Sequence, residues 1–399
     1  MSPDYKYNNH FLCNPFFLYA LVWFAIIPIY KLEWSDLYPE LKHNLLSFLC
    51  ITSIISILLA LISHKRKIFC NVPISNNTVS YKKIKIAIII LYIILFLEFV
   101  DFGGIPIMMF GNMMDVSRND FGFPIITVIV NNAFSLLAIL LAQVYFSSSF
   151  KDARTFIMML ICVLPAILIA SRSMLMHLIV GIMLVFLFNK NNIAKSILTL
   201  IALGILSIYG FGLFGNIREA KAGDDLILNI GKANTNFLES GVPKVFFWGY
   251  IYISSPLANL QNTIDNKIIF DEDRAFERSL KELIPETFTK RIESEDMMRY
   301  QINQVLNVGT LYWQMYVASG WYGLIIMFAT VMSLIIVGMM VVRENSIWKV
   351  PLIVFLCFVV IFGFFSNQLK VLETVPVIYF ICFYEFIQRL KNKRNYKIL

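Results

Sequence analysis

Charge is what this sequence has least of. Asp, Glu, Lys and Arg make up 15% of its 399 residues, against roughly 25% in an ordinary soluble domain. Apolar residues reach 58% and the mean hydropathy is +0.70. Too little polar surface exists to cover a globule of this size, which excludes a soluble globular enzyme. Histidine is scarce as well. His10, His43, His64 and His177 are scattered, with no HxxxH or HExxH pair. The cysteines Cys13, Cys50, Cys70, Cys162, Cys357 and Cys382 never show CxxC spacing. Neither a metal centre nor a redox motif is therefore indicated. No GxxxxGK[ST] phosphate loop occurs, so ATP-driven work is not expected. The start, MSPDYKYNNHF, has no basic n-region and no small-residue cleavage site. The first apolar run is thus expected to stay as a membrane helix.

What is abundant is aromatic and aliphatic. With 35 Phe, 18 Tyr and 6 Trp the chain is no disordered segment. Its apolar stretches are long and continuous and do not alternate with a period of two, which argues against a β-barrel. The expected fold class is an all-α polytopic integral membrane protein. A bilayer core of about 30 Å takes about 20 apolar residues as a helix. Candidate spans are 11–30, 45–62, 86–100, 125–146, 156–170, 174–188, 196–214, 321–342, 350–365 and 374–388.

The net charge of +8 follows the links between these runs and forms no nucleic-acid stripe. Lys65, Arg66, Lys67, Lys82, Lys83 and Lys85 fill segment 63–85, and Arg389, Lys391, Lys393, Arg394 and Lys397 fill the tail. Lys151 with Arg154, Lys190 with Lys195, and Arg343 with Lys349 mark three shorter basic links. With ten spans all five segments share one side, expected to be cytoplasmic, and both termini lie there. The opposite loops carry fewer basic residues: Lys31, Lys42, Arg118, Arg172 and Lys370.

The chain then divides into helices over 1–214, a large outer loop over 215–308, and further helices with a basic tail over 309–399. The loop is mixed in charge, as a solvated element would be. Within it, 271–284 reads as an amphipathic helix with Phe276, Leu280 and Leu283 on one face, ended by Pro285. Residues 245–260, VFFWGYIYISSPLANL, are interrupted by Gly249 and Pro256. They read as an interfacial or half-buried segment with Trp248, Tyr250 and Tyr252 at headgroup depth.

The run FIMMLICVLPAILIA-SRS-MLMHLIVGIMLVFLF has no proper loop. As one helix of about 33 residues it would be about 50 Å long, and the basic tail would fall outside. As a hairpin of two short helices, it would bring Arg172 below the outer surface. Such an arginine either faces an anion in a wet cavity or snorkels to the headgroups. Ser171 and Ser173 satisfy local backbone groups in both cases. Arg218 follows span 7 and Arg299 precedes span 8, so three arginines gather at the outer side. Guanidinium binds phosphate oxygens bidentately and stays charged, which suits a diphosphate leaving group. The competing reading pairs each with nearby acids, most readily Arg274 and Arg291. A general base is also needed for an acceptor hydroxyl. Asp115, Asp120, Glu239, Asp265, Glu293, Glu295 and Asp296 are all on the outer side, and spacing selects none. His177 reads as a packing residue rather than a base. Glu98 and Asp101 either line the outer cavity or sit at the interface. Asn131, Asn132 and Pro165 are the weak hints of a transporter.

Taken together the chain resembles the Wzy-type O-antigen polymerases. The likeness rests on the ten-odd spans, GGIP (103–106), the SRS turn (171–173), the long outer loop, YISSPLANL (252–260), and the T-L-Y…Y…G-x-x-G run at 310–323. The resemblance implies a GT-C-like architecture and an inverting, metal-independent glycosyltransferase of the bacterial inner membrane that faces the periplasm. Such enzymes move the growing glycan from undecaprenyl diphosphate to the non-reducing end of a new lipid-linked repeat unit. Carried over, Arg172, Arg218 and Arg299 would hold the diphosphate. The implied partners are the undecaprenyl-diphosphate-linked oligosaccharide, membrane lipid and a chain-length regulator; no cofactor and no metal is implied. The related ligases carry a His-Asn pair where this chain has Gly309-Thr310, which favours polymerase over ligase. The Arg-x10-Gly pattern of some polymerases is only approximated by Arg299 and Gly309. A ligase or a flippase of lipid-linked sugars is the alternative.

Overall fold

The computed structural model describes residues 11–70, 80–109, 121–148, 152–189, 225–267, 275–284 and 301–395, with 198 and 204 singly. Among these residues the chain is helical and holds no strand. One isolated bridge pairs Ser35 with Ala233.

The longer helices of the first half are α1 (Pro15–Tyr30), α2 (His43–Lys65), α3 (Tyr81–Phe102), α4 (Pro124–Ser147), α5 (Ala153–Leu168) and α6 (Arg172–Phe188), with a four-residue helix at Pro106–Met109 after α3. They are followed by α7 (Val245–Asp265), α8 (Ala275–Leu283), α9 (Trp313–Val341), α10 (Lys349–Ile361) and α11 (Val375–Asn395). Nine of the ten expected spans fall on these helices. The span expected at 196–214 lies outside the described residues. By length and composition four helices can cross a bilayer: His43–Lys65, Tyr81–Met109, Ile125–Ser147 and Trp313–Val341. Four shorter apolar helices accompany them: Pro15–Tyr30, Ala153–Leu168, Ser173–Phe188 and Lys349–Phe364.

Helix α2 shows why these residues suit lipid. Its outer face carries Ile51, Ile54, Leu58 and Leu61, each more than half exposed. Its inner face buries Thr52, Ser53, Ser56 and Ser63. Ser56 donates to the Phe16 carbonyl at 2.8 Å, and Ser63 accepts from Asn14 Nδ2 at 2.8 Å. Water would favour the reverse arrangement. Small polar residues between helices and large apolar ones outside are the pattern of packing within a membrane.

Helix α10 is the axis of the bundle. Every residue from Lys349 to Val360 is buried, against α1, α4, α6, α9 and α11. A helix apolar all round is stable only when enclosed.

The SRS run is a hairpin of two helices, not one long helix. α5 stops at Leu168 and α6 starts at Arg172. Ala170 takes a left-handed φ of 56°, and the Ser171 N–H reaches back to the Ala166 carbonyl at 2.9 Å. The Ala170 N–H reaches the Ile167 carbonyl at 2.9 Å, which completes a Schellman stop. Ser171 then caps α6, its hydroxyl accepting from the Met174 N–H at 3.4 Å. α9 breaks at Ser319 and Gly320, where the φ of 61° with ψ of −141° suits only glycine. The apolar part begins there, as the expected span of 321–342 requires.

Segment 245–260 lies within the continuous 21-residue helix α7, which is not among the helices apolar enough to cross a bilayer. Trp248 and Tyr250 are buried, and Pro256 is sealed inside the protein. Gly249 and Pro256 are tolerated because α1 and α9 flank the helix, so it need not survive alone in lipid or water. Helix α8 forms at Ala275–Leu283 within the expected range, but its apolar face does not point inward. Phe276 is 77% exposed and Leu280 43%, while Ser279 and Glu282 are buried. Only Leu283 packs against the core. Residues 271–274 and Pro285 lie outside the described residues.

One end of the bundle gathers the links 31–42, 171–173, 225–244, 301–312 and 366–374 together with α8. Trp34 and Ser35 bond to the 225–250 region, and Lys42 pairs with Asp265 at 2.7 Å. The basic links meet at the other end, where Lys349 Nζ touches Cys70 Sγ at 3.5 Å and Arg343 pairs with buried Glu385 at 2.8 Å.

Candidate functional site

The link between α10 and α11, SNQLKVLET at 366–374, is short and rich in hydrogen-bonding groups. It forms the floor of a cavity of about 460 Å³. Residues 307–310, the start of α9 and the first turns of α4 complete the walls.

Four neighbours hold this floor. On the α6 side, Ser173 donates its hydroxyl to Glu373 Oε2 at 2.7 Å. His177 sits one turn further, with Nδ1 at 2.8 Å from the Ser173 carbonyl. A carbonyl only accepts, so Nδ1 carries the proton. Nε2 then faces Gln368 Oε1 and Thr374 Oγ1, both at 3.4 Å. The ring lies between Phe358 and Phe362 and is 6% exposed. His177 is thus a packing and positioning residue. On the α8 side, Asn367 Nδ2 donates to the Glu282 carbonyl at 2.9 Å, and Lys370 Nζ pairs with Glu282 Oε1 at 2.9 Å. From α4, Asn132 Nδ2 donates to the Leu372 carbonyl at 2.7 Å. From the start of α9, the Leu311 N–H donates to the Gly363 carbonyl at 2.7 Å.

The opposite wall depends on α7. Asn259 is fully buried and grips an extended segment at three points. Its Nδ2 donates to the Leu306 and Val308 carbonyls at 2.7 and 2.8 Å, and its Oδ1 accepts from the Ile302 N–H at 2.9 Å. Thr263, one turn on, accepts from Trp313 Nε1 at 2.7 Å. The T-L-Y…G-x-x-G run thus lines the cavity with Thr310, Trp313 and Gln314, while Asn259 of the YISSPLANL stretch and Ser173 of the SRS turn bond to lining residues from outside it. GGIP stays apart, at the end of α3.

The lining mixes neutral polar groups, Asn131, Asn307, Thr310, Gln314, Ser366 and Asn367, with an apolar share from Val128, Val308, Val371, Leu372 and the Trp313 ring. Lys370 and Glu373 are its charged members. Lys370 is balanced by Glu282; Glu373 receives the Ser173 hydroxyl and borders the open volume. Asn131 Oδ1 and Asn132 Oδ1 are buried with no hydrogen-bond partner among the described residues. Of the lining amides, Asn307, Gln314 and Asn367 carry the paired donors and acceptors that suit a hydroxyl-rich ligand. A carboxylate beside them can accept a proton.

Arg172 is the first residue of α6, directly before Ser173, whose hydroxyl bonds to Glu373 of the cavity lining. Its side chain lies outside the described structure. Arg218 and Arg299 lie outside the described residues, as do Arg274, Arg291, Asp115, Asp120, Glu293, Glu295 and Asp296. Of the other acids considered, Asp265 is engaged by Lys42 and by Gln261 at 2.8 Å. Glu239 is exposed at the end of a short helix. Glu98 is buried and accepts from Thr127 Oγ1 at 2.5 Å, away from the cavity lining; Asp101 is exposed. The reading of the sequence missed Glu373. Its signal was the polar run SNQLKVLET between two apolar spans. Among the described residues no three His, Cys, Asp or Glu side chains are grouped to hold a metal.

No protein-family model matches the chain, nor does any curated protein or any solved structure.

Proposed function

We propose that this chain polymerises lipid-linked glycan repeat units, as a glycosyltransferase of the O-antigen polymerase kind. In this reading it crosses the bacterial inner membrane about ten times in a GT-C-like arrangement. Both termini are cytoplasmic and the cavity opens to the periplasm. The donor is a glycan on undecaprenyl diphosphate, and the acceptor is the non-reducing end of a second lipid-linked unit. The acceptor hydroxyl attacks the anomeric carbon from the face opposite the diphosphate. The bond to the diphosphate oxygen breaks with its electron pair, and the configuration inverts. Arg172, Arg218 and Arg299 hold the departing diphosphate. Glu373 takes the proton of the acceptor hydroxyl.

The observation that carries this reading is the 2.7 Å bond from Ser173 to Glu373. It ties Ser173, the neighbour of Arg172 in sequence, to a carboxylate that lines the cavity, and this supports assigning leaving-group and acceptor chemistry to one site. The test is glycan length in cells lacking the gene. A lost polymerase leaves single repeat units on the lipid core. A lost ligase or flippase leaves none, and an unchanged ladder would remove the reading.

A further inference from the structure

The opposite end of the bundle holds a second, larger hollow, unrelated to the cavity above. α3 and α5 both pack on α4 and leave a groove of about 900 Å³ between them. Its mouth carries three cations: Lys82 and Lys85 on the first turns of α3, and Arg154 on the first turn of α5. All three are exposed, and no ion pair engages them among the described residues. Among the described residues, Asp152 is the acid close by. Its carboxylate caps α5 by accepting from the Arg154 N–H at 3.1 Å and from Thr155 Oγ1 at 3.1 Å.

Below the mouth the groove turns apolar. Ile89, Ile93 and Phe96 line it from α3, and Met158 and Ile161 from α5. Their spacing, three and four residues apart, puts each set on one helix face. Two hydrogen bonds fix the walls: Tyr81 Oη with Thr155 Oγ1 at 2.9 Å, and Tyr92 Oη to the Ile161 carbonyl at 2.7 Å. From Lys85 to Phe96 the helix rises about 16 Å. One leaflet of the hydrocarbon core is about 15 Å deep. So the hollow has cations where headgroups lie and an apolar trough one acyl chain deep.

We infer that this groove is a binding site for an anionic glycerophospholipid, with the phosphate between Lys82, Lys85 and Arg154 and an acyl chain along Ile89, Ile93 and Phe96. Charge complementarity selects the lipid class. A zwitterionic headgroup would bring its own cation into a mouth already holding three. Basic pockets between membrane helices favour anionic headgroups for this reason. The inference is independent of the reaction proposed above.

The test is native mass spectrometry of the full chain in detergent, titrated with phosphatidylglycerol and, separately, with phosphatidylcholine of the same acyl chains. Phosphatidylglycerol should be retained preferentially. Each basic residue near a headgroup contributes about fivefold to such attraction, so K82A/K85A/R154A should weaken binding about a hundredfold. Lys83→Ala, on the same turn but outside the groove, should leave binding unchanged. Ile89→Trp keeps every cation and fills the trough, and should also lose the lipid. Equal retention of the two lipids, wild-type binding by the triple variant or by Ile89→Trp, or displacement of phosphatidylglycerol by equimolar undecaprenyl phosphate would overturn the assignment.

Discussion

Ser173 and Glu373 lie 200 residues apart and meet at 2.7 Å, the serine hydroxyl donating to the carboxylate. This bond joins the tight turn between the short apolar helices α5 and α6 to the polar link between α10 and α11. It orients one carboxylate oxygen at the cavity edge.

Glu373→Gln keeps the shape and still accepts from Ser173, but it cannot take up a proton. Polymer formation should fall by about 100-fold or more, the usual span for a lost general base. Thermal unfolding in detergent should be unchanged. Ser173→Ala, which only frees the carboxylate to turn, should cost about tenfold or less. Gel ladders of core-linked glycan from complemented cells read both.

His177→Phe separates packing from chemistry. The ring contacts with Phe358 and Phe362 survive, and the Ser173 carbonyl loses its donor. Stability should drop by only about 1 kcal/mol, the net worth of one hydrogen bond, because Ser173 is exposed and its carbonyl sits within the α6 ladder. The pH profile of the remaining polymerisation should keep its shape. A lost limb in that profile would make His177 a proton carrier.

Lys370 and Glu282 form an enclosed pair, with side chains 12% and 4% exposed. Glu282→Leu or Lys370→Met alone leaves a buried charge and should cost about 3–5 kcal/mol. The double change should recover much of that loss. Thermal melts of the three variants check this, and equal melts would mean that the pair does not hold α8 to the 366–374 link.

Asn259→Leu removes two donors and one acceptor from the wall segment at once. With about 1–3 kcal/mol for each buried group left alone, it should be among the most damaging single changes in the chain. Asn259→Asp should be nearly as severe, because it presents acceptors to two carbonyls. Folded yield by size-exclusion chromatography is the measurement.

These tests also mark where the sequence was informative. The hairpin at 169–171 was legible, because 33 apolar residues are too many for one span and Ser171 is a ready cap. Helix α8 was legible as a helix but not in its orientation. Periodicity gives the apolar face, not the medium it faces, and the polar face turned to Ser319 of α9 and to Lys370. The continuity of α7 was not legible because Gly249 and Pro256 interrupt a lone helix, and only packing against α1 and α9 removes that objection. Glu373 was not legible because one carboxylate in a nine-residue link carries neither periodicity nor motif spacing, and only the fold brings Ser173 to it. Arg172 gave its position through its neighbours, whereas Arg218 and Arg299 have no described neighbours to place them.

Arg172→Lys keeps the charge and loses the bidentate fork. If the guanidinium holds a diphosphate, lysine should fail nearly as badly as alanine in polymer length, at equal protein level. Full-length polymer in either variant would remove Arg172 from the reaction.

The most direct measurement uses the purified full chain in nanodiscs with a single synthetic substrate, the undecaprenyl-diphosphate-linked repeat unit. Mass spectrometry should show lipid-linked glycans of two, three and more units, with one free undecaprenyl diphosphate released for each bond made. Glycans that stay at one unit, with no carrier released, would contradict the account.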